Sequence, residues 1–159
     1  MKNSTAILSC FVSLILLGAT QNVSAQKTLQ NIVDEYISGR EDSENATEPA
    51  KTRKILRADL DGDGDGDAIV QYMLEGFDGG NNWAQRLAVF RNDRGIYKFA
   101  NEDSVGGKLS DRYVVLKKVG NRKIYLDTRS CPEVSQGVCD NPKKGRAIFV
   151  FRKGKLQEL

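Results

Sequence analysis

The stretch Asp59-Leu60-Asp61-Gly62-Asp63-Gly64-Asp65-Gly66-Asp67 places carboxylates on alternate residues and then turns apolar at Ala68-Ile69-Val70. Carboxylates this close repel one another strongly unless a cation lies among them. The chemistry that suits the spacing is coordination of a hard cation by oxygen. Calcium takes about six to eight oxygen ligands in flexible geometry. A loop that wraps it offers carboxylates at its first, third and fifth positions. Glycine stands sixth, where the chain turns sharply, a backbone carbonyl is offered at the seventh, and a further oxygen at the ninth. Asp59, Asp61 and Asp63 fill the carboxylate positions, Gly64 is sixth, Asp65 seventh and Asp67 ninth. The expected ligand set for Ca2+ is therefore Asp59, Asp61, Asp63, Asp65 and Asp67. Two other readings exist. One is a flexible acidic turn without an ion, against which the regular spacing argues. The other is a phosphatase-type D-x-D pair, with Asp59 as nucleophile and Asp61 as acid. That chemistry needs a larger α/β domain, and the chain after the loop alternates as β-structure does.

The elements that must hold this loop follow from periodicity. The twelfth loop position is Val70 rather than the Glu of an EF-hand, so a strand is expected to leave it. Lys54 to Ala58 reads as a strand entering the loop, and Ala68 to Glu75 as the strand leaving it, with Ala68, Val70, Tyr72 and Leu74 on one face. Gly76 to Asn82 is a loop, Trp83 to Arg91 a returning strand, and Asn92 to Gly95 a hairpin turn. Ile96 to Ala100 continues as strand, whereas the polar, Gly-containing run from Asn101 to Ser110 reads as a loop. Arg112 to Val119 and Lys123 to Thr128 form a hairpin around Gly120-Asn121, and Arg146 to Arg152 and Leu156 to Leu159 another around Lys153-Gly154-Lys155. Ahead of these, Leu29, Ile32, Val33, Tyr36 and Ile37 recur at helical spacing, with Thr28 as N-cap and Gly39 as stop. Residues 40–50 read as a polar linker, and Asn45-Ala46-Thr47 fits a glycosylation acceptor only in a eukaryotic secretory route. The fold class is mainly β, an antiparallel blade-like sheet or sandwich of about seven or eight strands with one N-terminal helix.

The run from Ala58 to Val70 resembles the D-x-D-x-D-G-x-x-D calcium loop of FG-GAP (VCBS-like) repeats, as in integrin α-chain propellers. The likeness extends over residues 53–100, through the Gly-rich loop, Leu87-Ala88-Val89-Phe90 and Asn92-Asp93-Arg94-Gly95. It implies an ion cage between two antiparallel strands, closed by Asp67, with the Asp65 carbonyl as a ligand. The loop occurs once, so the resemblance implies one blade-like unit and no closed propeller.

Residues 1–25 have the form of a secretory signal peptide: Lys2, an apolar run from Ala6 to Ala19, and a cleavage site at Val23-Ser24-Ala25. The run is too short for a comfortable membrane span. Cys10 would leave with it, and the mature chain would begin at Gln26. Residues 26–50 then form the helix and linker, and 51–159 one calcium-binding β-domain. Export to the periplasm or outside the cell makes Cys131 and Cys139 partners in a disulfide. The whole chain carries a formal charge of +3 and contains no histidine. That excludes His-based acid–base chemistry and His metal sites, and export speaks against nucleic acid. Phe77, Asp78, Asn81, Asn82 and Trp83 combine apolar and adaptable polar groups at the far end of the strand that leaves the loop, a mix that suits a protein partner. The alternative for Phe77 and Trp83 is simple core filling. The expected role is non-catalytic: a domain that binds a partner in the envelope or outside the cell, as an inhibitor or immunity-type protein would. The first rival is a metal- or carboxylate-dependent envelope hydrolase using acids such as Glu75, Asp78, Glu102, Asp103 or Asp111. The second is a structural or adhesive subunit.

Overall fold

The computed structural model describes residues 27–132, 134–135, 138–139 and 141–159. The expected signal peptide over 1–25, with Cys10, and the start at Gln26 lie outside the described residues. Helix α1 (Leu29–Glu44) begins where Thr28 Oγ1 accepts the Asn31 backbone N–H at 3.2 Å, an N-cap bond. Leu29, Val33 and Ile37, each one helical turn from the next, are its buried residues. They lie against Ala68, Val70, Tyr72, Leu74, Ala88 and Phe90.

The helix does not stop at Gly39. It runs to Glu44 and ends at Asn45, which is left-handed at φ 45°, so much of the expected linker is helical. Gly39 carries no packing demand, and a Cβ there would meet nothing. What extends the helix is long-range. Arg40 and Glu44, one turn apart, both pair with charges on the sheet.

The strands are β1 (Lys54–Ala58), β2 (Asp67–Glu75), β3 (Trp83–Asp93), β4 (Ile96–Gly107), β5 (Arg112–Gly120), β6 (Lys123–Ser130), β7 (Val134–Ser135), β8 (Val138–Cys139), β9 (Lys143–Arg152) and β10 (Lys155–Glu158). Eight of them form one antiparallel sheet in the order β1-β2-β3-β4-β5-β6-β9-β10, and β7 pairs only with β8. The β7–β8 excursion is closed by the Cys131–Cys139 disulfide. None of the described helices is long and apolar enough to cross a membrane.

β4 is longer than its composition suggests, because residues 101–107 continue as strand instead of forming a loop. Asn101, Glu102 and Asp103 pair with Val89, Ala88 and Leu87 of β3, and backbone pairing there overrides the polar side chains. β4 and β5, in contrast, share a single paired position, Gly107 with Arg112. The sheet folds over at this corner. A Cβ on Gly106 would stand 2.6 Å from the Arg112 carbonyl oxygen, so only glycine allows so close an approach.

Folding over brings Ile69, Leu87 and Val89 of the first half against Val114, Leu116, Ile124, Leu126 and Phe149 of the second. The result is three layers: helix, first half-sheet, second half-sheet. Beyond the corner β5 has no ladder partner on one side, and its buried backbone groups need one. Two glutamines supply it. Gln71 Oε1 accepts the Leu116 N–H at 2.6 Å, and its Nε2 donates to the Val114 carbonyl at 2.7 Å. Gln85 Oε1 accepts the Val114 N–H at 2.6 Å, and its Nε2 donates to the same carbonyl at 2.9 Å. On the opposite edge, Asn101 Oδ1 accepts the Leu156 N–H of β10 at 2.8 Å.

Candidate metal centre

The acidic loop joins β1 to β2, whose ladder closes at Ala58 opposite Asp67. Leu60 anchors it: its side chain lies in the core between the half-sheets. Gly62 and Gly64 are left-handed, at φ 91° and 93°, which bends the chain into a tight coil. Each acid then binds the backbone that follows it. Asp59 Oδ2 accepts the Gly64 N–H at 3.3 Å, Asp61 Oδ1 the Asp63 N–H at 3.3 Å, and Asp63 Oδ1 the Asp65 N–H at 2.9 Å. These short-range bonds are the turn habit of aspartate.

Asp67 is fully buried. Its Oδ2 accepts the Leu60 N–H and its Oδ1 the Asn92 N–H, both at 3.0 Å. Burial raises the pKa of this carboxyl, the charges of Asp61 and Asp63 raise it further, and the two N–H groups pull it down. One carboxylate oxygen from each of Asp59, Asp61 and Asp67 lies within 4.8 Å of the others. Oxygens that share a metal ion at about 2.3 to 2.6 Å lie within about 5 Å of one another, so these three residues could hold a metal ion. A cation there would offset the desolvation of Asp67.

The other two expected ligands stand outside that trio. Asp65 Oδ2 accepts the Arg94 N–H at 2.8 Å. That oxygen of the carboxylate is thereby turned to the β3–β4 turn. Asp63 is exposed, with its Oδ2 at 3.6 Å from Arg91 Nη2. Two contributors went unnoticed in the sequence. Arg91 reaches over from β3 to Asp61, and Asn92 ties β3 to the loop through its side-chain amide and the Gly66 carbonyl at 3.2 Å. Neither carries a local signal, since both lie some thirty positions downstream and meet the loop only through the ladder.

Phe77 to Trp83 lie at the other end of β2. Phe77 and Trp83 are half-buried and Asp78, Asn81 and Asn82 exposed, so the aromatics are not simply core. The Asp78 N–H donates to the Asn45 carbonyl at 3.1 Å, and Asn81 Oδ1 accepts Lys108 Nζ at 2.7 Å. Phe77, Asn82 and Trp83 line a cleft of about 380 Å³ with Leu109, and Leu109 is 96% exposed. Leu109 escaped notice because it sits in the polar run Lys108-Leu109-Ser110.

Of the other acids, Glu75, Asp78, Asp103 and Asp111 are exposed. Glu102 is different. It receives Tyr36 Oη at 2.8 Å, Arg40 Nη2 at 3.1 Å and the Tyr72 hydroxyl, with Arg86 Nη1 at 3.5 Å. That is a buried structural anchor between helix and sheet. Among the described residues, Asp59, Asp61 and Asp67 are the one cluster of three or more such groups that converges. Comparison with protein-family models, curated proteins and solved structures finds no match for this chain.

Proposed function

We propose that this chain is an exported, non-catalytic β-domain that holds one calcium ion in an FG-GAP-like loop and binds a protein partner with the opposite end of β2. The observation that carries the reading is the convergence of the Asp59, Asp61 and Asp67 oxygens within 4.8 Å on a glycine-bent hairpin loop. The Cys131–Cys139 disulfide supports an oxidising compartment, the periplasm or the outside of the cell. The ion clamps β1, β2 and β3 in register, because Asp67 already joins Leu60 to Asn92. The partner end is a strand's length away, where Phe77, Asn82, Trp83 and the exposed Leu109 border the cleft.

Calorimetry with calcium alone tests the ion: wild type binds one equivalent, and Asp61→Ala binds none. A photo-crosslinking side chain at Leu109 tests the partner end. It should give a discrete adduct in envelope extract, where the same group at Lys144 gives none. Absence of calcium binding in the folded wild type refutes the metal assignment, and equal labelling from both positions refutes the surface.

A further inference from the structure

Three hairpin turns meet at the end of the molecule that carries the acidic loop. The β3–β4 turn is Arg94-Gly95, the β5–β6 turn Asn121-Arg122 and the β9–β10 turn Lys153-Gly154. Arg94, Asn121, Arg122 and Lys153 have φ of 50°, 49°, 56° and 50°. Two-residue turns of this hand are ordinarily built from Asn, Asp and Gly. A left-handed residue with a Cβ is sterically strained. Turn geometry therefore does not account for long cationic side chains at three adjacent tips.

Between the second and third tips runs an open groove of about 630 Å³. Its walls carry Arg91, Arg122, Lys123, Arg152 and Lys153, with Asp61 as the one acid. Arg91 is engaged with that acid at 2.6 Å. The other four cations form no ion pair among the described residues. The Arg122 guanidinium lies against Gly62, where any Cβ would collide with it. The groove is a preset concentration of positive charge on a chain whose net charge is only +3.

We propose that this groove binds a glycan chain bearing phosphate or sulfate groups. The planar forks of Arg122 and Arg152 match the oxygens of successive anionic groups, and Lys123 and Lys153 add point charges between them. Single-stranded nucleic acid fits less well, since it needs aromatic faces on which bases stack. The aromatic residue of the groove, Phe151, is only 6% exposed. The groove needs no ion in the acidic loop to act.

Calorimetry with a heparin-derived octasaccharide, at about 150 mM salt, is the test. The expected result is salt-dependent binding that falls about tenfold or more in Arg122→Ala/Arg152→Ala. The control Lys143→Ala/Lys144→Ala, at the far end of β9, should bind as wild type does. An oligo(dT) of matched charge should bind about tenfold more weakly. If the arginine variant does not fold, Lys123→Ala/Lys153→Ala replaces it, with the same loss expected. No binding to wild type, equal loss in groove and control variants, or tighter binding of the oligo(dT) each overturns the proposal.

Discussion

Arg91 Nη2 lies 2.6 Å from Asp61 Oδ2. The guanidinium occupies one side of the carboxylate on which a metal ion would draw, and the Asp61 charge raises the Arg91 pKa in return. Ion and arginine would therefore compete for one acid. Binding at linked sites is reciprocal, so removing either competitor favours the other. Arg91→Ala should tighten calcium binding a few-fold, measured by calorimetry at fixed salt. Weaker binding in that variant would show that Arg91 shapes the loop instead of competing with the ion.

Asp67 and Asp61 should fail differently. Asp67→Asn puts an amide N–H₂ in place of one of the two carboxylate oxygens, each of which now accepts a backbone N–H. A buried donor left facing a donor costs about 1–3 kcal/mol. The variant should melt lower both with calcium and with chelator. Asp61→Ala lies at the loop surface and should lose only the calcium-dependent part of the melting temperature. For an ion present at a hundred times its dissociation constant that part is about 2.7 kcal/mol. Identical behaviour of the two variants in scanning calorimetry would contradict this division.

Glu102 should be among the costliest single deletions. Its side chain is 8% exposed, and Arg40 and Arg86 both point at it. The Nε atoms of both arginines already lack a hydrogen-bond partner, so losing Glu102 leaves further buried donors unpaired. Removing one member of a buried charge pair costs about 3 kcal/mol or more. Glu102→Ala should lower the melting temperature by on the order of 10 °C. A drop of about 1 °C would mean that water screens the site.

Alkaline pH should weaken the fold through the same cluster. Burial first, then the hydrogen bond and charge of Glu102, push the Tyr72 hydroxyl far above its ordinary value of 10.0. Burial and the Glu102 charge do the same to Tyr36. The folded pKa exceeds the unfolded one, so the contribution is complete below about pH 10 and drains away above it, where the unfolded chain releases protons that the folded chain keeps. Urea midpoints between about pH 8 and pH 11 should fall along that range. Tyr72→Phe should flatten the fall while lowering stability at neutral pH. An unchanged slope would assign the alkaline loss to other groups.

The strands around the loop were legible because alternation in Ala68, Val70, Tyr72 and Leu74 reports a face, and that face does meet the helix. The convergence of Asp59, Asp61 and Asp67 was legible in part, because alternate acids on a glycine-bent turn bring their side chains together. What escaped was everything decided at a distance. Gly39 looks like a stop, yet Arg40 and Glu44 find partners on β3 and β4 that hold one more turn in place. Asn101 to Gly107 looks like a loop, yet Glu102 is drawn inward by two arginines and two tyrosines. The split within the acidic run was also hidden, because Asp65 turns away only through a backbone N–H on another hairpin.

Gln71 and Gln85 have a kinetic consequence. The amide protons of Val114 and Leu116 are held by side chains of β2 and β3, not by a neighbouring strand. Fraying of β5 from β6 cannot free them. Only separation of the two halves of the sheet can. In hydrogen exchange these two amides should therefore open with the free energy of global unfolding, and the halves should not melt as independent units. Each glutamine works as a latch whose release is the unfolding event itself.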